Sequence, residues 1–165
     1  KFLADRGKML PKAIRYGSML EVPALAESLD ILLPHLDFLS IGTNDLTQFL
    51  FAADRADPRL AERYDWLSVS ILRFLKRVAN ECHAANVPVT VCGEMGGRPL
   101  DCLALLGIGI ERVSITPAAV GPIKAMIRST NIADAKTKLE SILANPIRDV
   151  RGALQEWAVS NKIEI

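Results

Sequence analysis

No run of apolar residues in this chain approaches the roughly 20 needed to cross a bilayer as a helix, which excludes a helical membrane span. Cysteine is scarce. The three residues, Cys82, Cys92 and Cys102, form no CxxC pair and no Cys/His zinc spacing. An odd, sparse set is no disulfide framework and suits a reducing cytoplasm. Charge of either sign is not in excess: 20 Lys and Arg against 19 Asp and Glu leave a net +1, so nothing argues for nucleic acid or an anionic membrane as a partner. No signal-peptide pattern, repeat, low-complexity tract or flexible linker is found. What is there is a chain of 165 residues, 50% hydrophobic and 24% charged, too apolar for disorder and long enough for one sizeable core. It begins without Met on KFLADRGKML, which reads as a helix already in progress. The expectation is therefore a piece of a longer protein, with residues 1–165 forming one structural unit.

Four short apolar runs stand between longer helical patterns: Tyr16–Leu20, Phe38–Ile41, Pro88–Val91 and Arg112–Ile115. Between the second and third, Ile71, Leu72, Leu75, Val78, Ala79 and Cys82 trace one face of a helix over Ser68–Ala85. After the third, PLDCLALLG predicts a helix stopping at Gly107. Alternating strands and helices imply βα units and a parallel sheet, hence an α/β fold. Two amphipathic helices close the chain over about residues 131–162. The first is capped by Asn131, with Asp134 in its first turn and Ile132, Ala135, Leu139 and Ile142 on one face; the second, Arg148–Lys162, aligns Val150, Leu154 and Trp157. Both are expected to pack outside the βα layer.

Chemistry-bearing side chains gather where the runs end. Run one ends in Glu21, run two in Gly42-Thr43-Asn44-Asp45, run three in Cys92-Gly93-Glu94 ahead of Gly96-Gly97-Arg98, and run four in Thr116-Pro117. In parallel α/β folds, closed or open, ligands bind at the carboxyl edge of the strands. Glu21 and Asp45 facing one pocket would repel unless a cation lay between them, and magnesium prefers such oxygen ligands. The plainer alternative makes Glu21 a solvated loop acid and Asp45 a helix cap. Arg55, in AADRADPR, could clamp a phosphate or carboxylate in bidentate fashion. Cys92 occupies a strand-to-loop junction of the kind reactive thiols use, whereas Cys82 and Cys102 fall on helix faces as inert core residues. His35 and His83 read as structural or surface residues.

These stretches, MLEVPAL, FLSIGTNDLTQF, AADR and VCGEMGGRP in that order, resemble the phosphoenolpyruvate-utilising enzymes: Enzyme I of the phosphotransferase system, pyruvate phosphate dikinase and phosphoenolpyruvate synthase. GEMGGRP followed by SITPAAVGPIKAMIRS is similar to Enzyme I, and within it to the nitrogen-related branch, and argues against the dikinase. The resemblance covers nearly the whole chain. It implies the C-terminal part, about four βα units, of a (β/α)8 barrel that binds phosphoenolpyruvate. It also implies a phosphotransferase that moves phosphate to a histidine on a separate N-terminal domain and then to a histidine phosphocarrier protein, with pyruvate as product. Carried over residue by residue, Glu21 matches a magnesium ligand, Asp45 a second magnesium ligand that also touches substrate, Asn44 and Arg55 substrate-binding residues, and Cys92 the proton donor. Gly93 and Glu94 belong to the same motif without an assigned role.

The residue types suit that chemistry. A compact, highly charged phosphate ester calls for a divalent metal together with arginines. Loss of its phosphoryl group leaves an enolate whose carbon must gain a proton, which a positioned thiol can deliver. Such a thiol must stay protonated at rest. The resemblance further implies a cytoplasmic homodimer, two substrate arginines in a missing first half of the barrel, and a phosphorylated histidine that neither His35 nor His83 matches. Half a barrel is expected to expose an apolar inner face, to self-associate and to transfer negligible phosphate alone. The alternatives are part of a dikinase or synthase relative, or a non-catalytic dimerisation module.

Overall fold

In a computed structural model, which describes residues 2–9, 11–54, 56–61, 65–145 and 147–165, the four apolar runs all become strands. In chain order the elements are β1 (Gly17–Leu20), α1 (Pro23–Ala26), α2 (Leu29–Leu32), β2 (Phe38–Gly42), α3 (Thr43–Phe51), α4 (Pro58–Ala61), α5 (Val69–Ala84), β3 (Val89–Cys92), α6 (Pro99–Gly107), β4 (Val113–Ser114), α7 (Val120–Ser129), α8 (Ile132–Ala144) and α9 (Val150–Ser160). The sheet runs β1-β2-β3-β4 with every pair parallel. Neighbours in space are neighbours in sequence, as in a barrel segment; a doubly wound sheet would reverse order about its first strands.

The pleat explains which side chains make the core. Leu20, Ile41, Val91 and Val113 are in register across the four strands, and the first three are fully buried. Leu39 and Val89, two residues earlier, point the same way and are buried too. Helices cover this face. The alternate positions, Met19, Ser40 and Thr90, form the next register row on the other face, where Met19 is 48% exposed. Phe38, 38% exposed, lies over Gly17, where a Cβ would collide with its ring. The uncovered face is thus a mixture of Met19 and Phe38 with hydroxyls, not the apolar surface expected from half a barrel.

α5 is the helix read from its spacing. Ser68 caps it by accepting from the Ile71 N–H, and the six predicted residues are its buried ones. Each large aliphatic side chain so buried contributes about 1.5–3 kcal/mol. Asn131 caps α8 by accepting from the Ala133 N–H. Ala135, Leu139 and Ile142 are buried, and α8 packs on α6 on the outer side of the layer. The Arg73 guanidinium of α5 donates to the Leu143 carbonyl near the end of α8, joining two outer helices at a carbonyl that lacks a helical partner. α9 starts two residues later than read, because Asp149 takes the cap by accepting from the Gly152 N–H. The N-terminal stretch is not a continuing helix: Ala4–Arg6 make a single 3-10 turn, and Gly7 follows at φ +63, a left-handed conformation that ends it.

Close packing of α6 on α8 depends on Gly107. A Cβ there would stand 2.9 Å from Leu139 Cγ and 3.1 Å from the Ala135 carbonyl oxygen. Alanine in a helix normally gains about 1 kcal/mol over glycine. Here overpacking, which costs about 1–3 kcal/mol, opposes and outweighs that gain because one neighbour is backbone. Gly107→Ala should therefore lower the urea midpoint of the chain; an unchanged or raised midpoint would contradict this packing.

α9 is tied to the layer by charge. Arg151 donates from Nε and Nη2 to the two carboxylate oxygens of Asp65, at 2.5 and 2.6 Å. Its Nη2 also lies 2.9 Å from Oδ1 of Asp101, a fully buried residue in the first turn of α6. That approach is a charge contact off the hydrogen-bond line, since neither Asp101 oxygen has an aligned partner among the described residues. Burial pushes the Asp101 carboxyl above its usual range, with Arg151 pulling back, while Asp65 is held below it by Arg151 and the Leu67 N–H against an opposing desolvation.

Candidate functional site

The carboxyl edge of the sheet is a straight register row. Gly42 pairs with Cys92 and Cys92 with Ser114, while Glu21 directly follows Leu20, the partner of Ile41. All four sequence-read clusters therefore meet at one rim because their strands are adjacent and aligned. Glu21 folds over Gly42: a Cβ there would stand 2.8 Å from Glu21 Oε1 and 2.7 Å from its Cγ. The absent side chain of Gly42 is what lets this carboxylate lie along the rim.

α3 begins directly at the end of β2. Its N-cap is Gly42, with no side-chain capping bond, so Asn44 and Asp45 sit in the first turn and neither is the cap. The cap alternative for Asp45 is thereby removed. First-turn position favours the Asp45 charge through the helix dipole. Asn44 reaches across to the loop after β3. Its Oδ1 accepts the Glu94 N–H at 3.2 Å, and its Nδ2 donates to Glu94 Oε1 at 3.4 Å.

Cys92, the last residue of β3, is half-buried, and its thiol donates to the Ile41 carbonyl at 3.4 Å. Burial, and to a lesser degree the nearby Glu21 charge, push the thiol above its usual range, against a smaller opposing backbone hydrogen bond. It is a thiol, not a thiolate, at neutral pH, as a proton donor requires. Cys82 and Cys102 are fully buried, with thiols raised by burial to about 11, inert as read. His35 and His83 are exposed.

Gly93 turns the chain at φ +127, where L side chains are strained, and a Cβ would meet Thr43 Oγ1 at 2.6 Å. That close approach brings the 3-10 turn Glu94–Gly97 against α3. A cleft of about 590 Å³ opens between this turn and the segment that ends β4, with Asn44 at its side, walled among others by Cys92, Glu94, Arg98, Ser114 and Thr116. Glu21 and Asp45 are not part of that wall. Arg55 lies outside the described residues. Among the described residues no three His, Cys, Asp or Glu side chains converge as a metal cage. Glu21, directly after β1, and Asp45, in the first turn of α3, are oxygen donors of the kind a hard divalent cation takes.

Sequence reading named two residues here without giving either a role. Glu94 holds Asn44, and Arg98 both approaches Glu94 Oε2 at 3.6 Å and stacks over the Trp66 ring at 4.5 Å. Only the glycines on either side of Glu94 hinted that this turn touches something closely. Buried Thr43, 1% exposed, has no hydrogen-bond partner for its hydroxyl among the described residues.

Residues 1–132 match a family described as PEP-utilising enzyme, PEP-binding domain. The chain is 37% identical over 154 residues to a Salmonella typhimurium protein named phosphoenolpyruvate-dependent phosphotransferase system, covering 91% of this chain and 20% of that one. It is 33% identical over 162 residues to the phosphoenolpyruvate-protein phosphotransferase of Haemophilus influenzae, covering 98% and 28%. A Cupriavidus necator protein of the same name is 42% identical over 125 residues, covering 76% and 21%. The chain thus spans about a fifth to a quarter of the length of these curated relatives.

Proposed function

The chain belongs to the phosphoenolpyruvate-utilising enzymes, through their phosphoenolpyruvate-binding domain, and we propose that its strand-end cleft holds phosphoenolpyruvate for phosphotransfer to a protein histidine. One observation carries this reading: a carboxamide and a neutral thiol follow adjacent, register-matched parallel strands at one cleft, with the Glu21 carboxylate on the neighbouring strand end of the same rim. Glu21 and Asp45 are the proposed holders of Mg²⁺, which when bound neutralises phosphate charge. Asn44, Asp45 and Arg55 grip the substrate. When the phosphoryl group departs, the substrate enolate takes the Cys92 thiol proton at carbon, giving pyruvate; in reverse the thiolate removes it.

The nitrogen-related branch is supported by GEMGGRP and SITPAAVGPIKAMIRS. A cytoplasmic homodimer, an acceptor histidine outside this chain and a phosphocarrier downstream complete the proposal. No helix among the described residues is long and apolar enough to cross a membrane.

Calorimetry on the complete gene product tests the site. Phosphoenolpyruvate should give saturable heat only with Mg²⁺, and Glu21→Gln should weaken it by about tenfold or more, the size of one lost charge-assisted contact. Equal heat with and without Mg²⁺, or an unaffected Glu21→Gln variant, would overturn the metal assignment; no heat at all would overturn the substrate.

A further inference from the structure

We propose that Glu94 is a positioning residue that sets the orientation of Asn44, so that Asn44 offers one defined amide donor to an oxygen of the bound phosphate ester. This rests on the function proposed above.

The geometry admits one orientation of the carboxamide. The Glu94 main-chain N–H can only donate, so the Asn44 atom facing it at 3.2 Å is the oxygen. A carboxylate can only accept, so the atom facing Glu94 Oε1 at 3.4 Å is the nitrogen. One residue thus grips both ends of the amide, and a flipped Asn44 would face donor with donor and acceptor with acceptor. The second Nδ2 hydrogen has no partner among the described residues, and Asn44 lines the cleft.

Glu94 is itself held. Its other oxygen, Oε2, faces Arg98 Nη2 at 3.6 Å, and the Arg98 guanidinium carbon lies over the Trp66 ring, 4.5 Å from its centroid. With Glu94 62% and Arg98 56% exposed, this ion pair is screened and adds little stability. Its effect is directional: it keeps Oε1 turned toward Asn44. The 3-10 turn that carries Glu94 is pressed against α3 by Gly93. An exposed acid of this kind would ordinarily pass for a solubilising residue; its double contact across 50 positions of sequence is what sets it apart.

The test uses the complete gene product with phosphoenolpyruvate and Mg²⁺. Glu94→Gln keeps an acceptor at the same reach, so its Kd should stay within about twofold of wild type, while Glu94→Ala should raise Kd about fivefold or more, the scale of one lost hydrogen bond. Glu94→Asp keeps the charge but shortens the reach, and should behave like alanine; it serves should the alanine variant not fold. The main-chain N–H of residue 94 survives every substitution and keeps its hold on Oδ1, so crystal structures read the side-chain contact alone: the Asn44 amide should tilt away from its present Nδ2 direction or split into conformers in Glu94→Ala and Glu94→Asp but not in Glu94→Gln. An Asn44 that keeps its orientation in Glu94→Ala or Glu94→Asp, or a Glu94→Gln loss as large as that of alanine, would overturn the proposal. If the wild type itself fails to bind phosphoenolpyruvate, the function fails, and the orientation of Asn44 in the variants still decides the role of Glu94.

Discussion

Replacing Cys92 with alanine in the complete gene product should lower pyruvate formation by about two to four orders of magnitude, the range of a lost general acid. Affinity for phosphoenolpyruvate should stay near wild type. The expectation follows from position and protonation together. Cys92 shares the cleft with Asn44, and burial raises its thiol so that the proton stays on at neutral pH. The same environment assigns a direction to the pH profile. A thiol raised above 9.0 remains a donor across the neutral range, so proton delivery holds level and falls as pH climbs through the folded value. Removal of a proton from pyruvate needs the thiolate and should rise over that same alkaline interval. Solvent deuterium incorporation into pyruvate methyl hydrogens measures the second process without needing phosphotransfer. Wild-type turnover in Cys92→Ala would assign the proton to another donor; a large loss of affinity instead would make Cys92 a binding residue.

Arg151→Met should be the most destabilising single change at the outer layer. Asp101 is 0% exposed, and Arg151 is the cation in contact with it, with Arg98 a weaker, more distant influence. Breaking a buried pair by removing one partner costs about 3–5 kcal/mol, because the charge left behind has no compensation. Asp65 is 42% exposed and screened, so its share is small and the lower end of that range is expected. The loss should shrink in acid, for two reasons of the same sign. Asp101 has a folded pKa above its usual 3.8, so its protonated form folds preferentially: that stability is present below 3.8 and lost as pH rises through the folded value. Without Arg151 the folded value rises further, and protonation relieves the variant at a higher pH than wild type. Asp65 is lowered, so its contribution exists above 3.8 and is lost only as pH falls below that; the variant lacks that contribution to lose, while the comparison of pH 7 with pH 5 reads Asp101 alone. Urea unfolding at pH 7 and pH 5 should therefore show a narrower gap at pH 5. The double variant Arg151→Met, Asp101→Leu should recover most of the loss at pH 7, since an apolar replacement of a buried ion pair is often neutral. An equal gap at both pH values with no recovery would mean that Arg151 contributes through packing of its stem alone.

Those two expectations rest on different kinds of knowledge. Cys92 was legible from its sequence position, at the end of an apolar run with glycine behind it, and so were Glu21 and the Asn44-Asp45 pair. The α5 face and the Asn131 cap were legible for the same reason: spacing and cap chemistry are local. Arg151, Asp65 and Asp101 gave no such signal. They lie up to 86 residues apart, and charged residues on helices usually face water.

What the sequence by itself determined is the four strands, the helices α5, α6, α8 and α9, and the sheet edge at which the candidate site side chains emerge, because periodicity and turn chemistry act over a few residues. Register, and with it the site, belonged to the tertiary structure. Only strand pairing puts Gly42 beside Cys92 and lets Glu21 lie over a position without a side chain. Only the fold turns Glu94 onto Asn44 and buries Asp101 beneath Arg151. Hydrogen bonds and ion pairs between distant segments depend on backbone placement to within about an ångström, far finer than hydrophobic patterning conveys.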